Sequence, residues 1–222
     1  GPGELALAPH GGLFPDDLPD LPRPGVEVLR EPLETGRITI SRAARQADFP
    51  ARFQLIAAMN PCPCGFYNHP EKECSCAPGA VQKYLNKVSG PLLDRIDLHV
   101  EVTPVPFSAL AMQKAGEGSD TIRTRVIKAR EIQAARYGNN SGIYCNAQME
   151  SKMLKEICVI DTAGQNLLKA AMDKLNLSAR AYDRILKVAR TIADLASSDT
   201  IEVPFLAEAI QYRSLDREGW SG

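Results

Sequence analysis

Four cysteines, Cys62, Cys64, Cys74 and Cys76, follow a C-x-C-x₉-C-x-C pattern on one short stretch. Two thiolate pairs on a loop can supply the tetrahedral sulfur set of a structural zinc site. The one-residue spacing inside each pair is tighter than in the usual zinc finger, so free thiols and disulfide or redox use stay open as alternatives. His69, inside the loop, is a candidate substitute ligand. The loop follows directly on "FQLIAAMN", where an apolar run delivers one amide, Asn60, and hands over to the thiols. An amide can donate to a phosphate oxygen and accept from a water without changing charge. Equally, Asn before Pro is a common turn opener.

Asp16 and Asp17 close the apolar pair of "GGLFPDD". Two carboxylates at the carboxyl end of a buried strand stand where ligands bind in open α/β sheets, one able to hold Mg²⁺ and the other to orient or deprotonate a water. The plain alternative is a solvated acidic turn. In "GPLLDRIDLHVEV", Arg95 lies between two apolar stretches. An arginine held there can enter a neighbouring subunit's site and stabilise charge on a transferred phosphoryl group, or it can simply pair with Asp94 or Asp97. Arg180 opens the helical pattern "SARAYDRILKVARTIADLA", where free backbone N–H groups add positive potential that suits a phosphate. Arg37, Arg42, Arg45 and Arg52 gather within one short polar segment, as a nucleic-acid contact or a solubilising surface.

The elements that must position these groups are legible in outline. A strand end precedes Asp16, and a short or kinked helix runs from Pro24 to the Gly36 stop, with Pro32 inside it. Two β-rich runs, Ile38–Ser41 and Phe53–Met59, predict a strand or hairpin and then a buried strand. Val81, Leu85 and Val88 mark a short helix, and "IDLHVEVTPV" alternates as a strand. Beyond it five helical segments follow, with Thr162 and Gln165 forming a capping box and Ser178 a second start signal. The helix after Ser178 separates an apolar face (Ile185, Val188, Ala189, Ile192, Leu195) from a basic one (Arg180, Arg184, Lys187). The expected organisation is an α/β half over 1–107, a linker over 108–120 and an all-α half over 121–222. Cys145 and Cys158 lie apart, as core or surface thiols.

With 26 basic and 27 acidic side chains in 222 residues, no global field draws the chain to nucleic acid or anionic lipid, so any such binding is local. Hydrophobic content of 44% and charged content of 24% exclude wholesale disorder and fibrous classes. No run reaches a membrane span and the start lacks the order of a secretory signal, so the expected compartment is the cytoplasm. The chain opens without Met, which points to a processed product or a fragment.

In this order the signals resemble the second half of an AAA+ ATPase. More narrowly, "PGELALAPHGGLFPDDLP", "EVLREPLETGRITISRA", "AAMNPCPCG", "YLNKVSGPLLDRIDLHVEV" and "SARAYDRILKVARTIADL" are similar to the magnesium-chelatase-like family that includes competence-associated bacterial proteins, over nearly the whole chain. The resemblance implies a partial P-loop-type α/β core with a parallel sheet, followed by an all-α helical lid. It implies ATP and Mg²⁺ as cofactors of the intact protein and a homo-oligomeric ring, a hexamer by analogy, acting on DNA or a protein partner. By the same resemblance Asp16 is the metal-coordinating acid of the Walker B place and Asp17 stands where the family has a catalytic Glu. Asn60 matches the first sensor, Arg95 the arginine finger and Arg180 the second sensor. The segment around 37–52 is similar to the hairpin that ring helicases, the minichromosome-maintenance group included, project toward a central pore.

Two departures stand out. Pro15 replaces an aliphatic residue and removes a backbone donor, and Asp17 is one C–C bond shorter than Glu, which predicts impaired hydrolysis. No G-x-x-x-x-G-K-[ST] occurs, so the phosphate-cradling loop is missing and the chain alone is expected not to be a competent ATP hydrolase. The competing expectation is a non-catalytic zinc-containing module that binds nucleic acid or protein. A chelatase motor serving Mg²⁺ insertion into a porphyrin is a third, which no residue here carries.

Overall fold

The computed structural model describes residues 11–42, 45–105, 116–138 and 142–213, with the side chains of residues 41, 42, 45 and 46 outside the description. Two compact units divide between Ile96 and Asp97.

In the first unit β1 (Gly12–Leu13) and β4 (Gln54–Leu55) pair in parallel, Gly12 opposite Gln54 and Leu13 opposite Leu55. Backbone bonding outruns this two-residue ladder: Gln54, Ile56 and Ala58 donate to the carbonyls of Gly11, Leu13 and Pro15, and Leu18 donates to Ala58. Pro15 keeps an accepting carbonyl but has no N–H to return a bond, which cuts the ladder short. The expectation of a buried strand over Phe53–Met59 is corrected here, since Ile56 is 51% exposed. Among the described residues β1 is the one strand paired with β4, and a two-stranded parallel pair shelters little surface.

The helix from Pro24 is two helices, α1 (Arg23–Val28) and α2 (Arg30–Thr35), meeting at Leu29. Pro24 and Pro32 both fall in first turns, where a missing N–H costs no intrahelical bond. Gly36, with φ of 69°, ends α2 and turns the chain into β2 (Arg37–Arg42), which pairs antiparallel with β3 (Arg45–Pro50) as the predicted hairpin. The hairpin base is closed by the Ala51 N–H on the Gly36 carbonyl at 2.8 Å. A Cβ at Gly36 would stand 2.8 Å from Arg52 Cγ, in a backbone conformation that L side chains resist. Gly36→Ala is therefore expected to lower stability by about 1–2 kcal/mol, read as a lower urea midpoint. Two further short helices, α3 (Ala80–Leu85) and α4 (Gly90–Leu93), complete the unit.

The second unit opens with the segment predicted as a strand, which forms no ladder among the described residues. Its alternation survives in part, Val100 and Val102 being exposed and His99 buried, and the His99 N–H donates to the Tyr212 carbonyl. Among the described residues five α-helices follow: α5 (Ser119–Tyr137), α6 (Ser151–Ile157), α7 (Thr162–Leu175), α8 (Ala179–Leu195) and α9 (Val203–Gln211). Leu154, Leu168, Ile185, Ala189 and Leu206 belong to one buried core. Ser178 Oγ accepts from the Ala181 N–H, as its position predicts. The capping box at Thr162 is corrected: Asp161 is the cap, accepting from the Gly164 N–H at 2.7 Å, and Gln165 donates to the Ile160 carbonyl. An acid one residue earlier satisfies the same free donors and also suits the helix dipole. No helix among the described residues is long and apolar enough to cross a membrane.

Candidate functional site

The two parallel runs end side by side, and their ends carry the carboxylates and the amide singled out in the sequence. Asn60 Nδ2 donates to Asp17 Oδ1 at 3.0 Å, across 43 positions of sequence. Asp17 adopts φ of 52°, a left-handed conformation that Asp tolerates better than most residues, as the chain leaves β1 for a 3₁₀ turn at Leu18–Asp20. Asp16, beside it, is exposed. Tyr84, 6% exposed, lies close enough to Asn60 for its hydroxyl to feel that residue's backbone. Burial first, then the Asp20 carboxylate, holds the Tyr84 hydroxyl above its usual pKa, so it stays protonated. Tyr84 escapes sequence reasoning because a tyrosine next to Leu85 in a short helix reads as ordinary core.

Carboxylate oxygens at a strand end suit a hard cation such as Mg²⁺, and the Asn60 amide occupies only Oδ1 of Asp17, so Oδ2 keeps its capacity to accept from a water. The donor set therefore fits a cation and a water. A triphosphate would need, in addition, a loop of backbone N–H groups to cradle it, which these 222 residues do not contain.

Arg95 takes neither Asp94 nor Asp97 as its main partner. Its Nε and Nη2 both donate to Glu34 Oε2, the former at 2.9 Å, and Nη1 donates to the Pro91 carbonyl at 2.6 Å. Asp97 instead pairs with Arg184. A groove of about 770 Å³ is lined by Glu34, Thr35, Ile38 and Arg95 among others, and none of Asp16, Asp17 and Asn60 touches it. Arg180 is exposed in the first turn of α8, in the second unit. On the same basic face Arg184 holds Asp97, and Lys187 donates to the Ala147 carbonyl at 3.1 Å.

On the hairpin Arg37 is exposed, and Arg52 is exposed with its aliphatic stem over Gly36. Arg42 and Arg45 stand opposite each other in the strand register, their side chains outside the described residues.

The four sulfurs of Cys62, Cys64, Cys74 and Cys76 all lie within 4.8 Å of one another. Three of the separations are 3.4, 3.7 and 3.5 Å. A disulfide would bring two sulfurs to about 2.05 Å. A zinc bound tetrahedrally at about 2.3 Å sets its sulfurs about 3.8 Å apart. The spacing matches the second case, and the cysteines are unbridged. Backbone N–H groups converge on the sulfurs. That of Tyr67 donates to Cys62 Sγ, and that of Phe66 brings the Cys64 thiol down to about 5, so it is a thiolate at neutral pH. At Cys76 the Cys64 N–H works in the same direction but is outweighed by desolvation and the neighbouring sulfurs, which push it up to about 12. Such crowding of sulfurs is what a dication relieves. His69 is set aside as a ligand: its Nδ1 accepts from the Glu71 and Lys72 N–H groups, and the cluster closes without it. Cys158 lies in the second core, its thiol raised to about 11 by burial.

Residues 1–110 match the family described as magnesium chelatase, subunit ChlI, and residues 116–213 match its C-terminal counterpart. The chain is 46% identical over 217 residues to the Competence protein ComM of Haemophilus influenzae, covering 97% of this chain and 41% of that protein. It is 43% identical over 218 residues to the Escherichia coli protein YifB, covering 98% of this chain and 42% of that one. The chain thus spans about two fifths of the length of the curated relatives it matches.

Proposed function

The chain belongs to the magnesium chelatase ChlI family, and on that premise we propose that it is part of an AAA+ motor that couples ATP binding and hydrolysis in a homo-oligomeric ring to remodelling of DNA or a protein partner. The observation that carries this reading is the Asn60–Asp17 hydrogen bond at the ends of two parallel runs. A catalytic acid and a sensing amide need that proximity, and a solvated turn does not.

In the proposed roles Asp16 holds Mg²⁺, Asp17 orients the attacking water and Asn60 fixes Asp17. Mg²⁺, when bound, neutralises charge on the phosphates. Arg95 acts on a neighbouring subunit's nucleotide and Arg180 on the nucleotide of its own chain. The α/β half is proposed to end near residue 107 and the helical lid to begin near residue 121. The hairpin arginines Arg37, Arg42 and Arg45, with Arg52 just past its base, are the proposed nucleic-acid contact, in keeping with a relative named for competence. The four cysteines hold a structural zinc that pins the loop behind Asn60.

In the full-length gene product, Asp17→Asn and Asn60→Ala are each expected to lower ATP turnover about 10²-fold or more. Turnover within twofold of the unaltered protein in both variants overturns the assignment. The 222-residue chain by itself is expected to bind ATP at millimolar or weaker affinity, since its sequence holds no phosphate loop. Micromolar affinity in a calorimetric titration refutes that.

A further inference from the structure

An arginine that serves a neighbouring molecule must project from the surface, yet the Arg95 side chain is 8% exposed and three of its N–H groups are spent inside the chain. We propose that Glu34 is an intrachain latch that holds Arg95 in reserve, so that Arg95 reaches a partner phosphate only after leaving Glu34. The inference rests on reading Arg95 as a residue that acts across a subunit interface.

Glu34 is built to let go. Its side chain is 46% exposed, so water can solvate the carboxylate once the guanidinium departs. The groove that Glu34 and Arg95 share gives the arginine room to swing. The other cation on that groove, Arg30, is held by Glu27 at 2.9 Å and does not compete for the latch.

Glu34 also sits where displacement reaches it. It lies in the last turn of α2, two residues before Gly36, whose carbonyl closes the hairpin base. Between them Thr35 Oγ1 donates to the Glu31 carbonyl and accepts from the Arg37 N–H, tying the helix end to β2. A shift of β2 is thereby carried to the Glu34 carboxylate within three residues.

Glu34 is accordingly a positioning residue, and its removal should accelerate rather than impair. In the full-length gene product Glu34→Gln is expected to raise kcat for ATP about 3- to 10-fold with KM within about twofold, because the groove that holds Glu34 includes none of Asp16, Asp17 and Asn60. Arg95→Ala should lower kcat about 100-fold or more, and the double variant should match Arg95→Ala. If Arg95→Ala collapses turnover while Glu34→Gln leaves kcat unchanged or lower, the latch is overturned and the arginine's role stands. If Arg95→Ala leaves turnover unchanged, the interface reading falls and takes the latch with it. A thermal melt of each variant separates release from unfolding, and Glu34→Ala replaces the glutamine variant if that one does not fold.

Discussion

One zinc per chain is expected in the protein purified without chelator, and Cys62→Ser is expected to lose it. Cys62 is the fully buried member of the four, its sulfur lies 3.4 and 3.7 Å from Cys64 and Cys74, and the Tyr67 N–H anchors it. Structural zinc contributes on the order of 10–16 kcal/mol of apparent binding free energy at neutral pH in small sulfur-ligated units, so the loop from Pro61 to Pro78 should depend on the ion for its shape. Elemental analysis reads the stoichiometry. Chelator treatment should then raise protease cleavage within the loop and leave the helical unit resistant. A protein without metal whose loop resists protease would remove the zinc and leave the cluster as four thiols. Acid should mimic the chelator, because protons compete with zinc for the thiolates.

The second large effect is expected in the helical unit, where Asp194→Asn should lower stability by about 3–5 kcal/mol. Asp194 has a fully buried side chain and accepts from Arg136 Nη1 and Nη2, Arg190 Nε and Asn146 Nδ2. Arg190 Nη1 and Nη2 donate to the carbonyls of Asp199 and Ser198, and the Tyr137 hydroxyl donates to Asn146 Oδ1. Removing the one carboxylate strands two guanidinium groups in low dielectric, which costs far more than the pair contributes over an apolar substitute. In a unit of this size the loss corresponds to a fall in Tm of roughly 15–30 °C. A thermal scan showing a shift of less than about 3 °C would contradict the account.

The same group sets an acid limit. Burial alone would raise the Asp194 carboxyl, but hydrogen bonds from Arg136 and Asn146 and the nearby positive charges outweigh it and hold the group below its usual value. A carboxyl depressed in the folded state contributes stability that is present above its unfolded pKa of about 3.9 and is lost as pH falls through the lower folded value. Acid unfolding of the native protein should therefore include a step in that window, and Asp194→Asn should lack it.

These two sites differ in how far the sequence announces them. The cysteine spacing is local: thiols two and ten residues apart on one loop must share a neighbourhood, whatever the rest of the chain does. Ser178 is legible for the same reason, since a helix cap acts within three residues, whereas the reading that put a capping box at Thr162 fell one residue past the true cap, Asp161. The hairpin over Arg37–Pro50 and the Gly36 stop are likewise local. Arg190 and Asp194 are the opposite case. On a helix whose apolar face is read as Ile185, Val188, Ala189, Ile192 and Leu195, a charged pair four residues apart is assigned to solvent, and nothing local says that Arg136 and Asn146 will arrive to bury it.

The sequence by itself determined the helices of the second unit, the hairpin, the cysteine loop and the residue types at the strand ends, because periodicity, capping and turn chemistry act over a few residues. Tertiary structure alone decided which of those groups meet. Asn60 finds Asp17 because a parallel pair aligns two strand ends that lie 43 residues apart. Arg95 finds Glu34, rather than its sequence neighbours Asp94 and Asp97, because a guanidinium leaving water takes the carboxylate that packing brings within reach. Long-range pairing is set by the shape of the packed chain, and no spacing rule along the sequence encodes it.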